Sequence, residues 1–280
     1  MSMIKEWGKT LLGQGVVLKI RRGPLRGMRY RLNRYSSLSP LWGGWERDTQ
    51  AIFEAMIQPG DCVYDLGANS GIHSMHCSRL VGAQGRVYAF EPMRFNLDEI
   101  ELVKRLNRLD NLEVRAEAVG ERAGRARFAL GLHTKGGSLN PNHSATEFVE
   151  VEVVAIDELI RKGARAPDFV KIDIEGGEGM ALLGMQEALS REHPSMYIEL
   201  HSPEQDRQVG RILLEQGYSA YRVRSPQAQV LSGQQRFLAP IERLDEGFPH
   251  PQGVYGMLLA VHPARQSRWQ AGLTRLLALA

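Results

Sequence analysis

Apolar and polar positions along the chain follow two alternating periods. Within residues 1–50, Val16 to Ile20 and Met28 to Leu32 are strand-like stretches separated by Gly23-Pro24, which predicts a hairpin. Ala51, Ile52, Ala55 and Met56 then recur at helical spacing, with Asp48 as the expected N-cap and Pro59-Gly60 as the stop. From Asp61 short apolar runs alternate with amphipathic stretches. Cys62 to Leu66, Arg86 to Phe90 and Leu112 to Ala118 read as strands, with helices over Ser70 to Val81 and Phe95 to Asn107 between them.

Ala126 to Leu130 and Glu147 to Val154 read as strands around the loop Gly136-Gly137-Ser138, followed by a short helix over Asp157 to Lys162. Phe169 to Ile174, Ser195 to Leu200, Tyr218 to Val223 and Tyr255 to Val261 are further strands, with helices over Met180 to Ser190 and Gln205 to Gln216. An amphipathic tail carries Trp269, Leu273 and Leu276. Strands alternating with helices need crossover connections, hence an α/β fold with six or seven strands in one mostly parallel sheet. The expected organisation is an N-terminal extension over 1–50 with hairpin and lid elements, a main domain over 51–262 and a tail over 263–280.

A length of 280 residues suits one α/β domain with an elaboration, and a chain this long needs no disulfide or structural metal to fold. Cys62 and Cys77 are too few for a secreted disulfide framework and read as core thiols. Net charge is only +3, from 35 basic and 32 acidic residues, so a nucleic-acid partner is not expected. The densest basic run, Lys19, Arg21, Arg22, Arg26, Arg29, Arg31 and Arg34, is either a solvated strand face or a surface for an anionic lipid, glycan or nucleic acid. No window approaches the roughly 18 apolar residues of a membrane span. Met1 to Thr10 does not read as a signal peptide, so the expected location is the cytoplasm, with peripheral membrane contact left open.

The chemistry gathers at strand ends. Asp65-Leu66-Gly67-Ala68-Asn69-Ser70-Gly71 follows the first buried strand and opens a helix, an arrangement that lets a nucleoside cofactor approach the backbone. It lacks the middle glycine of the dinucleotide fingerprint, and an acid at the strand end would repel a pyrophosphate. An acid suits a cofactor carrying an ammonium and a sulfonium, which favours S-adenosyl-L-methionine over NAD. Glu91, 20 residues beyond Gly71 at the end of the second strand, is placed to accept from both hydroxyls of a ribose. Asp173 and Glu175 leave the strand Lys171-Ile172-Asp173-Ile174 on the same sheet edge, and Glu178 reads as a helix-start acid. Glu199 and His201 fall on one side of the next strand's end, where His201 held by Glu199 could take a proton; His73 is a rival base or a substrate contact.

Asp65 to Gly71, Gly85 to Pro92, the Asn107/Asn111 neighbourhood, Ala118-Val119-Gly120, Val170 to Gly176 and Glu199-Leu200-His201 together resemble the FkbM family of S-adenosylmethionine-dependent methyltransferases, over roughly residues 45–222. The resemblance implies a Rossmann-like class I methyltransferase: a seven-stranded sheet with the last strand antiparallel, helices on both faces, and methyl transfer to a hydroxyl of a sugar, glycan or other secondary metabolite. Carried over by position, Asp65, Gly67 and Gly71 line the methionine end and Glu91 the ribose. Ala118 and Val119 frame the adenine, and Asp173 stands near the amino acid or the methyl. Asn69, His73, Ser74 and Pro92 complete the cofactor set, with S-adenosyl-L-homocysteine as product. Ser70 departs from the branched apolar residue usual there.

In the expected mechanism His201, held by Glu199 and supported by Asp173, removes the acceptor's proton during in-line displacement. The same three residues could instead hold Mg²⁺ or Mn²⁺ against a substrate diol, and spacing does not separate the two. A nicotinamide-dependent oxidoreductase and a non-catalytic cofactor-binding scaffold are the rival classes. Trp42-Gly43-Gly44-Trp45-Glu46 is either a lid, with Trp45 and Glu46 on the substrate, or packing for the sheet. Ser138 and Glu175 are further substrate candidates. Asn142-His143-Ser144 fits a glycosylation acceptor but reads as a loop.

Overall fold

The computed structural model describes residues 15–33, 36–130, 137–139, 147–223, 241–243 and 256–278. Met1 to Thr10, Arg34, Gly136, Asn142-His143-Ser144 and Tyr255 lie outside the described residues.

The prelude forms the expected antiparallel hairpin, β1 (Val16–Lys19) with β2 (Arg29–Leu32). A 3-10 turn over Ser39–Trp42 leads into α1 (Arg47–Met56). Asp48 is not its N-cap. That position is held by Glu46 at φ 28°, and Asp48 lies in the first turn. Arg31 of the basic run is engaged internally, its Nε donating to Glu99 at 2.9 Å. The Arg29 N–H donates to Asn107 Oδ1 at 2.7 Å and Asn107 Nδ2 donates to the Arg29 carbonyl at 2.8 Å, so the hairpin docks on the helix carrying Glu99 and Asn107.

The central sheet begins with β3 (Cys62–Leu66), α2 (Ile72–Val81), β4 (Arg86–Phe90), α3 (Arg94–Asn107) and β5 (Leu112–Arg115). The strand expected over Leu112 to Ala118 breaks after Arg115, and Ala118–Val119 (β6) leaves for a second sheet. There β6 pairs with β9 (Phe148–Val154), which pairs with β7 (Gly124–Leu130), which pairs with β8 (Gly137–Ser138). Periodicity identified these segments as strands but could not assign them to a separate sheet.

The main sheet resumes with α4 (Ile156–Arg161), β10 (Phe169–Ile172), α5 (Glu178–Leu183), α6 (Gln186–Arg191), β11 (Ser195–Glu199), α7 (Pro203–Glu215) and β12 (Ser219–Val223). The single helix expected over Met180 to Ser190 is two, because Gly184 packs against the Gly120 carbonyl so closely that a Cβ there would come within 2.1 Å. After the short edge strand β13 (Ile241–Arg243), β14 (Met257–Val261) and α8 (Gln266–Ala278) complete the described chain. Seven strands run in the order β12-β14-β11-β10-β3-β4-β5, and β13 adds an eighth beside β12. Strands β5, β4, β3, β10 and β11 are parallel, and β14 is antiparallel to both of its neighbours. This is the architecture expected from the family resemblance.

Strand alternation sends each sheet face into its own core. Val63, Val87, Ala89, Phe169, Tyr197 and Leu259 pack with Phe53 of α1, Met75 of α2, Ile100 of α3 and Leu273 of α8. Tyr64, Leu66, Tyr88, Phe90, Val170, Ile172 and Ile198 pack with Leu159 of α4, Leu182 of α5, Leu189 of α6 and Val209 of α7. Asp65, Lys171 and Glu199 share the parity of Val63, Phe169 and Tyr197, so they leave the sheet on the α1 and α2 side. Among the described residues no helix is long and apolar enough to cross a membrane.

Candidate functional site

The order reverses between β3 and β10, the place where an open parallel sheet leaves a crevice beyond its strand ends. A cleft opens there, with about 600 Å³ of space between its walls and the open solvent. Gly67, Asn69, Glu91, Pro92, Ala118, Val119, Asp173 and Glu175 all line it, together with Phe90, Glu117, Phe128, Gly137, Leu139, Ile174 and Gly177. The small second sheet thus supplies apolar walls beside acids from β4 and β10. Ser138 is buried in β8, and it is its neighbours Gly137 and Leu139 that face the cleft.

The β3 turn is built for close approach. Gly67 has φ 79°, and a Cβ on it would come within 1.8 Å of the Asp173 carbonyl oxygen. The backbone N–H groups of Gly67 and Ala68 donate to the Phe90 carbonyl at 3.0 and 2.9 Å, tying the turn to the end of β4. Asn69 at φ 49° and Gly71 at φ 80° delay α2 until Ile72. Gly71 lies against Ile100.

Glu91 is almost fully buried. Its Oε2 accepts from Asn69 N–H at 2.9 Å and its Oε1 from Met93 N–H at 2.8 Å. Burial drives its pKa upward, and hydrogen bonds from Met93 N–H, the Asn96 side chain and Asn69 N–H restrain the rise, leaving it at about 7. The Asn96 side chain is a third donor to Glu91, and a carboxylate has about four acceptor sites, so the group can still accept from a ligand hydroxyl.

Asp65 does not line the cleft but lies behind it. It is fully buried, takes a hydrogen bond from Ser74 Oγ at 2.5 Å, and its Oδ1 stands 3.4 Å from Lys171 Nζ. Lys171 is the residue that sequence reasoning passed over as part of an apolar strand. Its Nζ donates to the Gly67 carbonyl at 2.8 Å and lies 3.3 Å from Asp173 Oδ2. Burial disfavours its charge, but Asp173, Asp65 and Glu46 outweigh that and raise its pKa. A lysine inside a strand that exits into acids was the available signal.

A smaller inner pocket of about 200 Å³ adjoins the cleft at Asp173, which lines both. Glu46, Thr49, His73, Lys171, Tyr197, Glu199 and Met257 are among its walls. His73 therefore belongs to this pocket, where its Nε2 meets Glu46 Oε2 at 2.9 Å. Desolvation would raise the Glu46 pKa, yet the His73 hydrogen bond and the His73 and Lys171 charges hold it down at about 2. Trp45 is buried, packing on His73 and Phe53's neighbour His76 with ring centroids 5.2 and 5.9 Å apart, while Trp42 stands exposed. Of the lid segment, Glu46 reaches the site and Trp45 supports it.

His201 follows β11 and is not held by Glu199. Its Nδ1 is bonded to Glu178 Oε1 at 3.0 Å, and its Nε2 lies 3.5 Å from both Asp173 Oδ1 and Glu175 Oε2. Glu178 opens α5 as expected, but its Oε1 also accepts from Gly176 N–H at 3.0 Å. Burial lowers the His201 pKa and the three carboxylates overcome it, bringing it to about 9. Burial and the charge of Asp173 push Glu199 up to about 7. Asp173, Glu199 and His201 each offer a ligand atom within 4.8 Å of the others. Among the described residues, three of the five non-glycine residues with positive φ are Glu46, Asn69 and Glu175, all at this site.

Residues 65–220 match the family model described as the methyltransferase FkbM domain. Among solved structures, the chain is similar to methyltransferase FkbM from Methylobacillus flagellatus KT, at 20% identity over 75% of this chain and 49% of that one, with a TM-score of 0.42. The chain thus spans about half the length of that protein. It is also similar to Aeropyrum pernix fibrillarin in complex with natively bound S-adenosyl-L-methionine, at 14% identity over 77% of this chain and 74% of that one, with a TM-score of 0.42. A third is the S-adenosylmethionine-dependent O-methyltransferase from Thermotoga maritima, at 12% identity over 89% and 77% of the two chains, with a TM-score of 0.43. No curated protein matches the chain.

Proposed function

Because the chain belongs to the FkbM methyltransferase family, we propose that it transfers a methyl group from S-adenosyl-L-methionine to a hydroxyl of a sugar, glycan or other secondary metabolite. The observation that carries this reading is the meeting of two cavities at Asp173, a larger one lined by Glu91 and a smaller one beyond it whose walls include Glu46, His73, Lys171 and Glu199. Donor and acceptor would then face each other across a single residue, and alignment of that kind removes much of the barrier to a bimolecular displacement.

The residues fit the cofactor. Glu91 offers its two oxygens to the ribose hydroxyls, and Asn69 fixes its position through the backbone. Val119, Phe128 and Leu139 give an apolar slot for the adenine. Asp173 provides negative charge for the ammonium and sulfonium, and Gly67 lets the Asp173 carbonyl close against the turn. The cofactor supplies a methyl carbon already activated for displacement by its sulfonium.

The inner pocket suits a hydroxylated acceptor, since Glu46, Thr49, His73, Lys171 and Glu199 can each exchange hydrogen bonds with hydroxyls. Asp173, Glu199 and His201 handle the acceptor's proton as a cluster, with Glu178 orienting the imidazole in place of Glu199.

Calorimetric titration with S-adenosyl-L-homocysteine, run beside NADH, tests the cofactor. Micromolar binding of the thioether alone is expected, weakened roughly ten- to hundredfold by Glu91→Ala, the range for losing a hydrogen bond to a charged group. Preferential NADH binding would overturn it. With hydroxylated acceptors, His201→Ala or Glu199→Ala should each lower turnover by about 10² to 10⁴ with thioether affinity unchanged. Near-normal turnover in both variants would remove the cluster from the mechanism.

A further inference from the structure

We propose that Asp173, Glu199 and His201 form a divalent-cation site, best matched to Mn²⁺, that anchors neighbouring hydroxyls of the acceptor at the junction of the two cavities. The proposal deepens the acceptor reading of the inner pocket and rests on it. One donor atom from each residue lies within 4.8 Å of the others. Atoms bound to one cation at about 2.1 Å stand roughly 3 to 4 Å apart, and His201 Nε2 is 3.5 Å from Asp173 Oδ1. Small side-chain movements complete the geometry.

Three further features point the same way. The first is the anchoring of His201. Its far nitrogen, Nδ1, is bonded to Glu178, a carboxylate with no exposed surface whose Oε2 has no hydrogen-bond partner. A carboxylate behind a histidine is how proteins orient an imidazole toward a metal and raise its basicity. Glu178 also takes the Gly176 N–H, so one buried group fixes both the imidazole and the loop after Asp173.

The second is the division of Asp173. Lys171 faces its Oδ2 at 3.3 Å, whereas His201 faces its Oδ1. The lysine is also committed to Asp65 and the Gly67 carbonyl, so it leaves the Oδ1 side to the cluster.

The third is charge. Asp173, Glu175, Glu178 and Glu199 surround His201, and Lys171 is the cation beside Asp173, so a divalent ion that displaces the imidazole's proton meets an excess of carboxylates. Carboxylates with one imidazole, at partly exposed positions where water can fill the remaining sites, suit Mn²⁺. A cation there would polarise the acceptor oxygen, so the cluster would acidify the hydroxyl in place of taking up its proton.

The test is titration of MnCl₂ into the full chain, followed by loss of the free-Mn²⁺ EPR signal, alongside calorimetry with S-adenosyl-L-homocysteine on the same samples. One equivalent of Mn²⁺ is expected, weakened at least tenfold by His201→Ala or Asp173→Asn. Glu178→Gln should weaken it about 10- to 100-fold, the range for groups that orient a metal ligand. Glu91→Gln should keep wild-type Mn²⁺ affinity. Both ligand substitutions fall on partly exposed side chains, and circular dichroism verifies folding. No Mn²⁺ binding at millimolar concentration, or equal binding in His201→Ala and Asp173→Asn, overturns the proposal. Thioether binding without Mn²⁺ removes the cation site and leaves the cofactor reading intact. Mn²⁺ binding without the thioether does the reverse.

Discussion

In the proposed cofactor site, the ionisation of one buried carboxyl, Glu91, would be linked to ligand binding. In the free protein burial places its pKa at about 7, above the ordinary carboxylate value, so near neutrality part of the population carries a proton there. Ribose hydroxyls donate, and they prefer the ionised form. The sign follows: affinity for S-adenosyl-L-homocysteine should be full above pH 7 and fall as pH drops through it, by about tenfold per unit in the limit. Calorimetry between pH 5.5 and 8.5 checks this, and Glu91→Gln should flatten the profile. A flat wild-type profile would mean that Glu91 does not meet the hydroxyls.

Among elements, α1 and α8 form the support for the inner pocket, the proposed acceptor side. Gly272 of α8 lies against the Ala55 carbonyl, where a Cβ would come within 2.1 Å, so the two helices touch through backbone. Trp269 is buried beside this contact, and its Nε1 donates to the His262 carbonyl at 2.9 Å. Arg265 and Arg268 reach Asp168 at 2.7 and 3.2 Å, fastening the start of α8 to the segment entering β10. Because α1 presents Thr49 and follows Glu46, loosening α8 should disturb the inner pocket and spare the cofactor cleft. Trp269→Ala should lower unfolding free energy by about 3–5 kcal/mol and raise KM for the acceptor. Urea unfolding and thioether titration of the same preparation separate these effects; unchanged stability would show that α8 is not structural support.

The main sheet carries separate cores on its two faces, and the cleft proposed for the cofactor takes contributions from the ends of β3, β4 and β10 and from β6 and β8 of the second sheet. A ligand that binds across so many elements stabilises them together. At a hundredfold excess over Kd, S-adenosyl-L-homocysteine should add about 2.7 kcal/mol, moving Tm by roughly 5–10 °C for a chain of this size. Thermal scans with and without the ligand measure it, and a shift retained in full by Glu91→Ala would place the ligand elsewhere.

At this scale the division between sequence and tertiary structure becomes clear. The type and order of the elements were legible in the chain, because a period of two or 3.6 is a local property and alternating strands and helices leave little choice but a parallel sheet. Asp65, Glu91, Asp173 and Glu199 were legible as a group for the same reason, since parallel strands end on one edge. The pairing among those acids was not. His201 rests on Glu178 from another element, Lys171 bridges Asp65 and Asp173, and Glu46 arrives from the prelude to meet His73. Nor could periodicity show β6 leaving the main sheet or Gly184 dividing a helix against Gly120. These outcomes depend on how helices dock and how closely backbones approach, contacts between segments far apart in the chain, and only the folded arrangement decides them.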